Sequence, residues 1–139
     1  MLKVFVYGTL KPGKSNYQRY CVDKTISISV GVNDTTPVPA YTIGKLFALP
    51  MGYPAMIEGQ GKVYGYLLAF ANSEILLSLD DLEGYDPYAS VTSNLYNRYL
   101  VEIFNCQHHS LGNAWTYFMS IDKVKSFQGI YLESGCWND

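Results

Sequence analysis

Glu83 is the residue of this sequence best placed for acid–base chemistry. With Ser73 to Glu83 on a helical wheel at ~100° per residue, Leu79 falls at the centre of an apolar arc, with Ile75 and Leu82 to one side and Leu76 to the other. Glu83 lies inside that arc, between Leu79 and Leu76. Glu74, Leu77 and Asp81 point the other way, and Asp80 sits at the margin. A carboxylate on a core-facing stripe is desolvated, which raises its pKa from about 4.3 toward the neutral range a general acid–base catalyst needs. A helix that stopped one residue earlier would leave Glu83 solvated instead.

The second stretch is Val4-Phe-Val-Tyr-Gly-Thr-Leu-Lys-Pro-Gly-Lys-Ser15, a short apolar run that breaks off in a loop bent at Gly8, Pro12 and Gly13. A strand that stops so abruptly leaves backbone N–H groups without ladder partners, and such groups cradle anions. In one reading, Tyr7-Gly8-Thr9-Leu10 alone is the site and receives a carboxylate. In another, Gly8 to Ser15 matches the phosphate loop G-x-x-x-x-G-K-S, with Lys14 on the terminal phosphates and Ser15 on Mg²⁺. A plain strand and polar turn is the third. Phosphate loops sit in parallel sheets of alternating strands and helices, so the remaining elements decide between these readings.

Those elements are mostly strands in series. Leu2 to Tyr7 is the first, and Ser15 to Cys21 reads as a short helix with Ser15 as N-cap and Gln18 completing a capping box. Thr25 to Val32 alternates with Ile26, Ile28, Val30 and Val32 apolar, as a half-buried strand does. After a loop from Asn33 to Pro39, Tyr41–Leu49 reads as a strand, Pro50–Pro54 as a turn, and Ala55–Glu58 as a brief strand. Gly59-Gln-Gly61 reads as a further turn before Lys62–Phe70. Asn72 or Ser73 caps a helix to about Leu82, and Gly84 to Asn94 is a long loop of the kind that more often serves function than idles. Leu95–Phe104 and Ala114–Ser120 are two more strands around a turn with His108, His109 and Gly112. The tail carries Phe127, Ile130, Tyr131 and Trp137, which are expected to pack on the body. Consecutive hairpins imply antiparallel pairing. The expected fold is α+β: a small, mostly antiparallel β-barrel with one or two flanking helices, a single domain over residues 1–139. This layout argues against the phosphate loop.

Composition closes off other classes. A net charge of −2 and no basic stripe give no electrostatic basis for nucleic acid or an anionic membrane. No run approaches the ~20 apolar residues of a membrane span, and Leu2–Tyr7 is too short for a secretory core. Cys21, Cys106 and Cys136 are odd in number and widely spaced, so neither a disulfide framework nor a zinc site is expected, and a cytosolic setting fits. His108 and His109 are adjacent and face opposite ways in extended chain. Asp80, Asp81, Glu83 and Asp86 fit no calcium loop, so no metal site is expected. Nothing marks a histidine partner for Cys21, which reads as a buried structural thiol.

Taken together, Val6-Tyr7-Gly8-Thr9-Leu10, Tyr53-Pro-Ala-Met56, Gly61-Lys-Val-Tyr-Gly65, Leu79-Asp-Asp-Leu-Glu-Gly84, Tyr96-Asn-Arg98 and Trp115-Thr-Tyr-Phe118 resemble, in order, the landmarks of the γ-glutamylcyclotransferase-like superfamily. That superfamily includes γ-glutamylamine cyclotransferases and the plant avirulence-induced (AIG2-like) proteins. The resemblance implies an enzyme that cyclises a γ-glutamyl amide or peptide to 5-oxoproline, releasing an amine or amino acid without a cofactor. It implies Glu83 as the acid–base residue and Tyr7, Gly8, Thr9 and Leu10 as the substrate loop, with Tyr96 and Arg98 ordering the pocket. The alternative for Arg98 is a cross-strand ion pair. Where members commonly carry an acidic residue after the second glycine of the Gly61–Gly65 stretch, this chain has Tyr66. A non-catalytic small-molecule binding module on the same fold is the alternative function.

Overall fold

The computed structural model describes residues 1–21, 24–28 and 35–138. The elements in chain order are β1 (Leu2–Val6), α1 (Ser15–Tyr20), β2 (Thr25–Ile26), β3 (Val38–Ala48), β4 (Pro54–Phe70), α2 (Ile75–Leu82), β5 (Asn97–Phe104), β6 (Ser110–Phe118), α3 (Ile121–Ser126) and β7 (Ile130–Tyr131). The strands form one sheet in the order β2-β4-β1-β6-β5-β3-β7, and β3 also pairs with β4. Strands β4, β1, β6, β5 and β3 therefore make a closed circuit of pairings. Two of its seams are thin: β1 meets β6 in parallel at Val4–Trp115, and β3 meets β5 at Tyr41–Phe104. The other pairings are antiparallel. The architecture is the expected α+β one, with three helices among the described residues where one or two were expected.

Strand β1 is buried on both faces because it runs through the middle of this sheet. Val4, Phe5 and Val6 are almost wholly enclosed, and Val4 and Val6 pack into one apolar cluster while Phe5 packs into the other. Alternation along the strand thus feeds two cores from one five-residue segment. Gly65 of β4 makes the pairing possible. A Cβ there would stand 2.1 Å from the Val6 carbonyl oxygen, so only glycine lets the two backbones come this close.

Three expectations about local structure change. Gly59-Gln-Gly61 does not divide two strands; it is an irregularity inside the 17-residue β4. Opposite it, the β3 register shifts between Ile43 and Lys45, so the extra residues are taken up as a bulge. The α1 helix has Lys14 at its N-cap and no side-chain cap, so the Ser15–Gln18 capping box does not form. Of the strand expected from Thr25 to Val32, Thr25–Ile26 pairs with Phe70 and Ala69 of β4 and the next described residues, Ser27 and Ile28, do not continue the strand; residues 29–32, with Val30 and Val32, lie outside the described residues. Helix α3 is capped by Ser120, whose hydroxyl accepts from the Lys123 N–H. In the tail, Trp137 is buried against the second core while Ile130 and Tyr131 stay exposed. Among the described residues no helix is long and apolar enough to cross a membrane.

Replacing Gly65 by alanine should force β1 and β4 apart, because the obstructing atom is backbone and cannot rotate away. The expected loss is at least ~2 kcal/mol, read as a lower urea midpoint with an unchanged m-value. A midpoint within error of the unaltered chain would show that the strands do not pack as described.

Candidate active site

Helix α2 ends at its eighth residue for a specific reason. Gly84 adopts φ +64°, the left-handed conformation that glycine enters without strain. Its N–H donates to the Asp81 carbonyl at 3.3 Å and the Tyr85 N–H to the Asp80 carbonyl at 2.9 Å, the paired bonds of a Schellman stop. Glu83 is consequently the last residue with near-helical backbone, and its N–H still reaches the Leu79 carbonyl. The wheel therefore holds through Glu83. Leu79 is fully buried, Ile75 and Leu76 are buried, and Leu77 is 76% exposed.

Glu83 lines a cavity of about 210 Å³ at the end of β1. Tyr7, Gly8, Thr9 and Leu10 form one wall, and Tyr53, Pro54, Leu95 and Tyr96 contribute others. Among the described residues Glu83 is the only charged side chain of the lining, and its carboxylate has no hydrogen-bond or ion-pair partner. Burial pushes its pKa up from 4.5 to about 7. The N–H groups of Gly8, Thr9 and Leu10 likewise donate to no other described group, so the strand stop does leave an open cradle. Two features keep the cradle in shape. The Lys11 N–H donates to the Gly8 carbonyl at 2.9 Å, closing a turn, and Asn16 of α1 donates from Nδ2 to the Thr9 hydroxyl at 2.8 Å. Gly8 is packed against Pro54, whose Cγ would lie 2.8 Å from an added Cβ.

The aromatic walls are fixed by their hydroxyls. Tyr7 donates to the Tyr117 carbonyl at 2.6 Å and accepts from the Met56 N–H at 3.3 Å. Tyr96 donates to the Pro54 carbonyl at 2.7 Å. Burial pushes the ionisation of Tyr7, Tyr96 and Tyr117 far upward, so all three stay neutral phenols. Glu83, by contrast, has its ionisation brought near neutral pH.

Arg98 does not line this cavity. Its guanidinium grips Asp80 through Nε–Oδ1 at 2.9 Å and Nη2–Oδ2 at 3.2 Å, between the rings of Trp115 and Tyr85. Arg98 is ion-paired, but to Asp80 of helix α2 and not across strands as the alternative had it. The Gly84–Asn94 loop is a tied loop beside the cavity mouth. Leu95 N–H meets the Gly84 carbonyl, while the Asn94 side chain accepts from the Asp86 N–H and donates to the Asp86 carbonyl and to Asn97.

Lys14 lies over the Trp137 ring, 5.4 Å from its centroid, and β1 is bordered by an antiparallel strand. Although α1 follows the Gly8–Ser15 stretch and β1 meets β6 in parallel at Val4–Trp115, the sheet is otherwise antiparallel and not the parallel, strand–helix-alternating sheet of a phosphate loop. Among the described residues no three metal-ligating side chains come together. Tyr53, Tyr117, Asn16 and Leu95 are lining residues that sequence reasoning did not assign to the site. Of these Tyr53 and Tyr117 had a signal, as parts of the Tyr53–Met56 and Trp115–Phe118 landmarks.

The profile of the family described as Gamma-glutamyl cyclotransferase, AIG2-like, matches residues 4–139. The chain belongs to this family. Solved structures with the same fold include an aig2-like protein (a2ld1, ggact) from Mus musculus at TM-score 0.64 and 16% identity, covering 99% of this chain and 88% of that one. Protein ytfP from Escherichia coli aligns at TM-score 0.58 and 25% identity, covering 99% and 97%. YkqA from Bacillus subtilis aligns at TM-score 0.63 and 23% identity over 98% of this chain, which spans only 39% of YkqA. No curated protein sequence matches the chain.

The raised Glu83 pKa has a stability consequence in this family member. Below about pH 4.5 the carboxyl is protonated in both the folded and unfolded chain and has no effect. Between 4.5 and 7 the unfolded chain ionises first, so stability falls as pH rises, and above 7 the penalty levels off. Glu83→Gln should remove it. The variant is expected to match the parent at pH 4 and exceed it by up to ~3 kcal/mol at pH 8, measured by urea unfolding. A constant difference across that range would mean Glu83 is solvated.

Proposed function

We propose that this chain is a γ-glutamyl cyclotransferase, closing a γ-glutamyl amide or peptide to 5-oxoproline and releasing an amine or amino acid. The observation that carries the reading is the unpartnered Glu83 carboxylate in the same cavity as the unbonded N–H groups of Gly8, Thr9 and Leu10. In the proposed reaction those N–H groups receive the α-carboxylate of the substrate, fixing the glutamyl chain in a folded pose. Glu83 takes a proton from the α-ammonium. The freed amine nitrogen attacks the γ-carbonyl carbon and forms the ring C–N bond. Glu83 then delivers that proton to the departing nitrogen as the amide C–N bond breaks, and the second proton that the ring nitrogen must shed passes through the same carboxylate to the released amine, leaving a neutral lactam, an ammonium and the regenerated carboxylate.

A base with a pKa near 7 suits both halves of this cycle, since it must accept a proton and give it back at the same pH. Tyr7 and Tyr96 act as fixed, neutral walls whose hydroxyls are already committed to the backbone. The chemistry as written calls for no cofactor. The three free thiols, two of them exposed, fit a reducing, cytosolic setting.

The test is 5-oxoproline release from a panel of γ-glutamyl amides, amino acids and dipeptides. Turnover of at least one substrate is expected, with kcat/KM rising with pH about a midpoint near 7 as Glu83 ionises. Glu83→Gln should lower kcat by ~10² or more. Full activity in that variant would remove Glu83 from the mechanism. Binding of γ-glutamyl compounds without release would assign the cavity to a binding module.

A further inference from the structure

Asp80 stands three residues before Glu83, on the side of α2 that turns inward. It is only 8% exposed, a costly state for a carboxylate unless its charge is met. Two elements meet it. Arg98 of β5 supplies the two-pronged contact, and Tyr117 of β6 donates its hydroxyl to Oδ1 at 2.7 Å. Tyr117 also lines the cavity, and its carbonyl holds the Tyr7 hydroxyl. Asp80, Arg98 and Glu83 all act electrostatically on the Tyr117 phenol, the two acids raising its ionisation and Arg98 lowering it. Three charges therefore converge around one ring at the back wall of the site.

Taking the proposed role of Glu83 as given, we propose that Asp80 and Arg98 are positioning residues. The pair anchors the last turn of α2 to β5 and β6, and each member cancels the other's charge at the Glu83 carboxylate. A lone Asp80 would repel an ionised Glu83 at close i,i+3 spacing, and a lone Arg98 would attract it. Two aromatic rings against the guanidinium explain how the cancellation is held. Arg98 sits 4.5 Å from the Trp115 centroid and 5.2 Å from that of Tyr85, so its charge is fixed in place with little water around it.

The other groups facing Glu83 carry no compensating charge. β1 presents Tyr7, the turn before β4 presents Tyr53, the segment before β5 presents Tyr96, and β6 presents Tyr117. Helix α1 presents Asn16, and its cation Arg19 lies over the ring of Tyr20. The nearby lysines are engaged elsewhere: Lys11 and Lys14 at Trp137, and Lys123 on the Asn94 carbonyl. Asp80 and Arg98, bound to each other one turn back along α2, are thus the remaining charged groups beside this wall of the site.

The test reads Glu83 itself, independently of turnover. The side-chain carboxyl carbons of the five glutamates are followed by NMR against pH, with the Glu83 signal assigned by its loss in Glu83→Gln. Asp80→Asn is expected to lower the Glu83 midpoint by about half to one pH unit, and Arg98→Met to raise it by a similar amount. The double variant should return it to near the parent value, and Arg98→Lys, which keeps the charge, should leave it there. Should Arg98→Met not fold, the shift in Asp80→Asn and its reversal in the double variant carry the same information. Midpoints that stay put, or move in the same direction in both single variants, would overturn the proposal and leave the pair a purely structural anchor. If the midpoints move as expected while no γ-glutamyl compound is turned over, the fault lies with the proposed reaction and not with the pair.

Discussion

The site depends on where one helix stops. Gly84 can take a left-handed backbone conformation, and because it does, the free carbonyls of Asp81 and Asp80 in the last turn of α2 are satisfied by the N–H groups of Gly84 and Tyr85. One more helical residue would carry the Gly84–Asn94 loop away from Leu95. One fewer would release Glu83 from the wheel position that aims it inward. A Cβ at residue 84 would also stand 3.1 Å from the Leu95 Cβ, so the same glycine lets the loop close against the start of the β5 segment. Helix termination, loop closure and orientation of the carboxylate are thus one constraint seen from three sides.

Strand β1 sets the opposite wall by the complementary device. The helix ends with its backbone groups satisfied, whereas the strand ends with its N–H groups open. Pairing stops at Val6–Tyr66, and the chain turns through Gly8 before any further ladder can form. Pro54 forbids a side chain at residue 8, and Asn16 ties Thr9 back to α1. The cradle is therefore rigid although it lies in a loop, because both of its ends belong to packed elements. Gly65 underlies this arrangement, since without its close approach to Val6 the strand would not end where it does.

What could be read from the sequence follows from what is local. The 3.6-residue period of α2 identified Leu79 and Glu83, and the run of short strands gave a mostly antiparallel α+β fold. Asp80 shows the limit. On the wheel it is marginal, yet it is almost fully buried, because Arg98 and Tyr117, 18 and 37 residues further on, supply the bonds that make burial tolerable. No local pattern encodes that. The parallel β1–β6 contact is invisible for the same reason: hairpin logic links neighbours, and Val4 and Trp115 lie at opposite ends of the chain. Gly59 and Gly61 misled in the other direction. Glycines in a strand can mark a bulge as well as a turn, and only the partner strand, with its own Gly44 at the register shift, distinguishes them.

The energetic character of the cavity bears on what it is for. A half-buried carboxylate with no partner among the described residues, its pKa pushed up by desolvation, destabilises the fold at neutral pH, and Lys11 and Lys14, close in sequence to the loop, are instead placed at Trp137. A site that only bound a zwitterionic ligand could neutralise the acid permanently, for instance with one cation among its walls, and gain stability. Under the proposed reaction that relief would be harmful. A fixed cation would lower the proton affinity of Glu83 and weaken its return of the proton to the leaving nitrogen. The Asp80–Arg98 pair resolves the same conflict one turn back along the helix: it anchors α2 with a strong charged contact while adding no net charge to the cavity wall. Buried pairs of this kind are often neutral or worse for stability than apolar replacements, so their use beside a catalytic candidate is easier to understand as positioning than as reinforcement.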